Sequence, residues 1–250
     1  MPSTDEQPAA MAALVAAIRG GDLTALQRLI DEQPSLVTAD VNGRTALHVV
    51  TDWPGYYPGG PAVVRMLVAA GADPNARLDG KGAPETPLHW AASSDDLDVA
   101  DALIDAGADL ETPGGSIGTP LDNAIGYGCW HVARRLVERG ARVDKLWHAA
   151  ALGLMSRVEE LIASDPGPEE ISAAFWQACH GGQRRAAEYL LRHGANINTT
   201  VEYAHGTALD AATGPDTRRD LLATWLREQG AQPSNDTGVT APGSRRGPGG

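Results

Sequence analysis

Residues 86–111, TPLHWAASSDDLDVADALIDAGADLE, are the stretch that decides the fold. The stretch begins with threonine and proline, which are typical of the cap and the first position of a helix. Leu88 and Ala91 then fall on one helical face, and Gly107 suits the left-handed residue that ends a helix. The pattern therefore predicts two short helices joined by a turn and ended by a glycine.

Both ends of this stretch recur along the chain. A motif of Thr, then Pro or Ala, then Leu and His or Asp begins at Thr45, Thr86, Thr119 and Thr207. A Gly-Ala motif begins at Gly71, Gly107, Gly140, Gly194 and Gly230. From Thr86 to Gly107 is 21 positions and from Gly107 to Thr119 is 12, so the period is 33. A fixed period of this size indicates a repeat architecture.

The motifs resemble those of the ankyrin repeat, whose pattern joins Thr-Pro-Leu-His, two alanines, a glycine, paired apolar residues and Gly-Ala-Asp. The resemblance implies an all-α solenoid in which each unit is a helix, a short turn, an antiparallel helix and a projecting hairpin loop. One unit cannot bury its apolar face alone, so the units are expected to stack on each other.

We predict about seven helix-turn-helix units, because an apolar residue occupies the leucine position of each. These positions are Leu14, Leu47, Leu88, Leu121, Leu146, Phe175 and Leu209. The predicted unit bounds are 10–40, 41–77, 78–111, 112–143, 144–167, 168–198 and 199–232, within one ankyrin domain over residues 1–232. Residues 233–250 are predicted to be a disordered tail, because ten of these eighteen residues are Pro, Gly or Ser.

Three places depart from the regular period. Five extra residues fall in the turn Asp52–Pro61 of the second unit, and the loop Arg77–Glu85 is also longer than its equivalents. In the fifth and sixth units the loops are shortened, and the positions aligned with the threonine are Asp144 and Ala173. These two units are predicted to be irregular.

Composition narrows the possible partners and compartments. The chain has 20 basic and 32 acidic residues, a net charge of −12, which disfavours binding to nucleic acid or to an anionic membrane surface. No run of about 20 apolar residues predicts a membrane span. Cys129 and Cys179 are expected to be free thiols of a cytoplasmic protein, with a single disulfide left open as the alternative.

Sequence motifs of catalysis or metal binding are not found. His48 and His89 belong to the repeat motif and are predicted to bond the cap threonine or a neighbouring loop. The glycines of Pro113–Gly118 lack the Lys-Ser/Thr ending of a phosphate-binding loop. We therefore predict no enzymatic activity, no cofactor and no metal. The alternative is an enzyme or small-molecule binder that uses His148, Cys179 and His180 in the irregular stretch 144–182.

The resemblance implies that partners contact the loop tips and the groove-facing side of the first helices. Tyrosine, tryptophan and arginine are also favoured anchors at protein interfaces. The candidate partner-binding residues are Arg44, Trp53, Tyr56, Tyr57, Glu85, Trp90 and Tyr127, with Trp90 expected to be partly exposed. The alternative for Trp53 and the two tyrosines is that they fold back and close their own loop.

The resulting hypothesis is a non-catalytic protein–protein interaction module that acts as a monomer on an unidentified protein partner. The acidic balance favours a partner surface that is basic or mixed. Self-association through an exposed helix face is a further alternative.

Overall fold

A computed structural model describes residues 6–39, 43–78, 84–202, 204, 206–213 and 220–234. Residues 235–250 of the predicted tail and 79–83 of the longer loop lie outside the described residues. Within the described part, the secondary structure is fourteen α-helices, a 3₁₀ turn at Pro34–Val37 and an isolated bridge between Thr200 and Thr207. The predicted all-α class is confirmed.

The chain divides into two compact units, which are called the first and the second unit from here on, while a single helix-turn-helix element is called a repeat. The first holds the described residues up to Ala141, and the second begins at Arg142. Helices of the first unit are α1 (Glu6–Gly20), α2 (Leu23–Glu32), α3 (Ala46–Thr51), α4 (Gly60–Ala69), α5 (Pro87–Ser94), α6 (Leu97–Asp105), α7 (Pro120–Gly126) and α8 (Trp130–Glu138). Helices of the second unit are α9 (Leu146–Leu152), α10 (Met155–Ile162), α11 (Pro168–His180), α12 (Arg184–Arg192), α13 (Ala208–Ala212) and α14 (Asp220–Glu228).

The repeated motifs occupy the helix ends that their chemistry predicts. The four motif threonines are the N-cap residues of their helices: Thr45, Thr86, Thr119 and Thr207. Gly107 follows the end of α6 with a φ of +92°, and Gly140 follows α8 with a φ of +104°. A residue with a β-carbon is strained at such angles, so glycine ends the second helix of these pairs.

The side chains of the leucine position form the centre of the packing. Every one of them is at most 3% exposed: Leu14, Leu47, Leu88, Leu121, Leu146, Phe175 and Leu209. Alanines pack beside them, as Ala91 and Ala124 do in α5 and α7, and these are also fully buried. Small side chains let neighbouring helices approach closely, which fits a core built with a single phenylalanine.

Two buried histidines, in α3 and α5, each join the start of their own helix to the loop that precedes the next repeat. The backbone N–H of Thr45 donates to Nδ1 of His48 at 3.3 Å, and Nε2 of His48 donates to the carbonyl oxygen of Glu85 at 3.1 Å. His89 repeats this arrangement: its Nδ1 accepts from the backbone N–H of Thr86 at 3.1 Å, and its Nε2 donates to the carbonyl oxygen of Gly118 at 3.1 Å. A carbonyl oxygen only accepts, so Nε2 carries the hydrogen and the ring binds as the neutral form. Burial lowers the pKa of His48 to about 4 and lowers that of His89 in the same direction.

The departures from the period have structural counterparts. Eight residues connect α3 to α4, whereas only Asp95 and Asp96 connect α5 to α6, so the predicted insertion is present. In the second unit, α11 begins at Pro168 with Gly167 as its N-cap, whereas the position aligned with the cap threonine is Ala173, so the helix starts earlier than the alignment implies. Proline at the first position and Glu169 and Glu170 in the first turn all favour this earlier start. The division into seven repeats, with the bounds given above, stays a prediction.

Acidification should destabilise the protein through the buried imidazoles. In the unfolded chain His48 takes up a proton near pH 6.5, whereas in the folded state it does so only near pH 4. The unfolded state therefore binds more protons as the pH falls through this window, and the stability present above pH 6.5 is lost. Between pH 7 and pH 5, His48 alone should lower the free energy of unfolding by about 2 kcal/mol.

Urea denaturation of His48→Asn at both pH values tests this expectation. The variant should lose less stability on acidification than the unsubstituted chain, whereas His193→Asn, at an exposed position on the second unit, should behave like the unsubstituted chain. Equal pH dependence in His48→Asn would show that the imidazole is not held neutral.

Close backbone approach in the second unit gives a second prediction. A β-carbon on Gly181, at the end of α11, would overlap the backbone carbonyl of Ala151 in α9. Gly181→Ala should lower the free energy of unfolding by about 1–3 kcal/mol, because the two helices must separate. Gly20→Ala is the control, since a β-carbon there meets nothing within 4 Å and alanine favours a helix. Equal stability of the two variants would contradict this account.

Candidate partner-binding surface

The inserted turn between α3 and α4 is held at its base by charge. Oδ2 of Asp52 accepts from the guanidinium of Arg19 at 2.8 Å and from that of Arg44 at 3.1 Å. The Arg19 guanidinium also lies over the ring of Tyr57, 6.0 Å from its centroid. Because Arg19 belongs to α1, these contacts attach the insertion to the preceding helix pair.

The tip of the insertion rests on the following turn. The backbone N–H of Tyr56 donates to Oδ2 of Asp96 at 2.6 Å, and the Tyr56 hydroxyl donates to the carbonyl oxygen of Asp95. The Tyr56 side chain is nevertheless 65% exposed, and Trp53 is 46% exposed. The insertion therefore bonds to the neighbouring turn rather than only to itself, and it leaves two aromatic rings in contact with solvent.

Tyr127 places another aromatic ring on the turn between α7 and α8. It is 46% exposed, and its hydroxyl lies 3.1 Å from Oγ of Ser116. Ile117, also exposed, packs over Gly126, where a β-carbon would overlap it. Glycine at position 126 thus lets the loop before α7 approach the turn that carries Tyr127.

Glu85 was predicted to face a partner, but the structure buries it. Its side chain is 2% exposed, and Oε2 accepts from Nε1 of Trp90 at 2.9 Å. Oε1 accepts from the backbone N–H of Ser116 at 2.8 Å and from the amide of Asn123 at 3.0 Å. Three donors satisfy this buried carboxylate, so it stabilises the stack and is not available for direct contact.

The expectation that Trp90 is partly exposed is also wrong. The indole is 2% exposed and packs edge-on against the ring of His48, with 5.2 Å between the centroids. The Arg44 guanidinium lies 5.1 Å from the Trp90 ring centroid. Arg44 is therefore half-buried and shields the indole from solvent.

Of the predicted residues, Trp53, Tyr56 and Tyr57 lie on the turn between α3 and α4, and Tyr127 lies on the turn between α7 and α8. The turn of Asp95 and Asp96 comes between these two turns in the sequence, and Arg19, which the sequence did not nominate, contacts the first of them. We define the aromatic turn surface as Arg19, Trp53, Tyr56, Tyr57 and Tyr127. Arg19 lies 33 residues before Asp52, which is one repeat period, so a comparison of equivalent positions would have paired them. The bonds of Tyr56 to Asp95 and Asp96 carry no such signal in the sequence.

In the irregular stretch of the second unit, the three candidate side chains His148, Cys179 and His180 are buried or partly buried. Cys179 is fully buried in the apolar core, and His148 is 2% exposed. The ring of His180 packs against Trp176, and its Nδ1 lies 3.4 Å from Oε1 of Gln177. A buried thiol beside apolar neighbours is a structural residue, so the alternative of an enzyme in this stretch gains no support.

Two searches cover the described part of the chain. Within it, no helix is long and apolar enough to cross a membrane. The same residues contain no group of three or more His, Cys, Asp or Glu side chains arranged to hold a metal ion.

Comparisons with known proteins identify the repeat. A family model described as ankyrin repeats (3 copies) matches residues 56–145. The B-cell lymphoma 3 protein homolog of Mus musculus is 32% identical over 197 residues, which cover 74% of this chain and 38% of that protein. Ankyrin repeat protein nuc-2 of Neurospora crassa is 28% identical over 220 residues, which cover 87% of this chain and 18% of that protein. The chain thus spans well under half the length of these two curated relatives.

A solved structure extends the similarity beyond the residues that the family model matches. The crystal structure of the ankyrin repeat domain of Bcl-3, described as a unique member of the IkappaB protein family, matches with a TM-score of 0.51 at 27% sequence identity. The match covers 86% of this chain and 97% of the Bcl-3 chain. Ankyrin-repeat domains are non-enzymatic protein–protein interaction modules. On its motifs, its helix pairs and these matches, the chain belongs to the ankyrin-repeat proteins.

Proposed function

We propose that the first unit binds a protein partner through the aromatic turn surface. Exposed aromatic rings concentrate there: of the five large apolar side chains that are exposed among the described residues, three are Trp53, Tyr56 and Tyr127. Tryptophan, tyrosine and arginine contribute most to the binding energy of protein interfaces. Exposed aromatic side chains on a series of turns are typical of an interaction site.

The observation that carries the proposal is that Tyr56 is both exposed and fixed. Its backbone and its hydroxyl are hydrogen-bonded to the turn of Asp95 and Asp96, yet most of the side chain faces solvent. The guanidinium of Arg19 in α1 lies over the neighbouring Tyr57 ring, 6.0 Å from its centroid. Side chains that are ordered before binding lose less conformational entropy on docking, so they present an efficient anchor.

The proposal extends to the setting in which the protein acts. We propose a monomer in the cytoplasm that binds protein and not nucleic acid. The net charge of −12 supports the exclusion of nucleic acid, because a phosphate backbone selects basic surfaces. Light scattering of the full chain would test the monomer, and a mass twice that of the chain would contradict it.

Truncation of two anchors tests the surface. Trp53→Ala with Tyr57→Ala should reduce capture of the partner at least about tenfold, because hot-spot side chains each contribute about 2 kcal/mol or more. The measurement is affinity capture from extracts of the source organism, with quantitative mass spectrometry of each protein retained by the unsubstituted chain.

Leu221→Ala is the matched control, because Leu221 is an exposed apolar side chain on α14 of the second unit. It should leave capture unchanged. Urea denaturation should give all three chains the same free energy of unfolding within about 1 kcal/mol, because Trp53 and Leu221 are exposed and Tyr57 is partly exposed. Undiminished capture by the folded double variant would remove this surface as the binding site.

A further inference from the structure

We infer that the partner segment that docks on the aromatic turn surface is basic, with an arginine or lysine side chain seated on the ring of Tyr56 beside Asp98. This inference rests on the proposed function and specifies the chemistry of the partner. The occupant to which it commits is an extended segment of a protein.

The Tyr56 ring is arranged to receive a group from solvent. Its hydroxyl is engaged by the carbonyl of Asp95, so the ring is fixed at its far end as well as at its backbone. With 65% of the side chain exposed, ring surface remains open to solvent. The face of an aromatic ring carries negative electrostatic potential and attracts guanidinium and ammonium groups within about 6 Å of the centroid.

The charges around this ring are predominantly negative. Asp95 and Asp96 form the turn to which Tyr56 is bonded, and Asp98 lies exposed in the first turn of α6. Partial burial raises the pKa of Tyr56, and the charges of Asp95, Asp96 and Asp98 raise it further. Carboxylates that disfavour a tyrosinate at this position favour a cation there for the same electrostatic reason.

The cations of the neighbouring residues are already engaged. Arg19 and Arg44 both bond to Asp52 at the base of the insertion. Nδ1 of His131 lies 2.7 Å from Oδ2 of Asp95, on an imidazole that is charged only when protonated. Asp98 is the exposed carboxylate of this turn, so it is the group best placed to meet an incoming cation.

The protein itself offers two examples of the proposed contact. The guanidinium of Arg44 lies over Trp90, and that of Arg19 lies over Tyr57, while each also bonds to Asp52. Both pair an aromatic ring with a carboxylate around one guanidinium. Tyr56 and Asp98 present the same two groups at the exposed end of the same surface.

A random peptide selection tests the inference with the full chain alone. The chain is used to select from phage-displayed random dodecapeptides at about 150 mM salt, and a synthetic copy of the most enriched peptide is titrated. We expect the selected sequences to be enriched in Arg and Lys. The affinity should fall as salt is raised, because exposed charges are screened.

Matched variants locate the cation. Tyr56→Phe keeps the ring and the backbone bond to Asp96 but loses the hydroxyl bond to Asp95, so it should weaken binding only about twofold, whereas Tyr56→Leu removes the ring and should weaken binding about fivefold. Asp98→Asn should weaken binding about threefold and reduce the salt dependence. Glu32→Gln, at an exposed position on α2, is the charge control and should have no effect.

The outcomes separate this inference from the proposed function. Peptides without basic enrichment that still lose affinity in Trp53→Ala would overturn the basic segment and leave the surface in place. Peptides that are insensitive to Trp53→Ala, Tyr56→Leu and Asp98→Asn would overturn both. Equal binding by Tyr56→Phe and Tyr56→Leu, or failure to enrich any sequence, would also overturn the basic segment.

Discussion

The structure of the first unit depends on a neutral imidazole that bonds in two directions. His48 and His89 each accept from the start of their own helix and donate to a carbonyl of the next loop. One side chain thereby satisfies a helix end that would otherwise be buried without a partner, and it fixes the distance to the following repeat. The helices are too short to be stable alone, so they form through packing against their neighbours, to which this link contributes.

Polar groups inside the stack are organised by the same requirement. Glu85 precedes a cap threonine, a position from which ankyrin side chains are expected to reach a partner. Its carboxylate instead accepts from Trp90, Ser116 and Asn123, and so joins α5 to the loop before α7 and to α7 itself. Three hydrogen bonds offset part of the desolvation cost of this carboxylate, whereas a truncated side chain would leave three donors unpaired.

The fold could be predicted because the residues at the helix ends of each repeat are ones that cap helices. Threonine, proline and glycine at fixed intervals are sufficient to place α5 to α8, and the surplus between Thr45 and Gly71 is sufficient to place the insertion. The surface could be predicted only in part, because the exposure of a side chain depends on contacts between neighbouring repeats. Whether Trp90 faces solvent is decided by His48 and Arg44, which lie 42 and 46 residues earlier in the sequence. Single-sequence spacing gives the position of such a residue but not what covers it.

The insertion joins the stack at its base through Asp52, at its tip through Tyr56 and beside α1 through Tyr57, and this has an evolutionary consequence. Asp52 anchors its base and Tyr56 anchors its tip, while the residues between them support no helix. Gly55 is buried beside Ser94 and Asp96 and is constrained, but the exposed side chain of Trp53 can be exchanged without loss of the scaffold. Related chains could acquire new ligands by exchanging this segment alone, and an engineer could graft it onto a consensus repeat array to transfer its recognition.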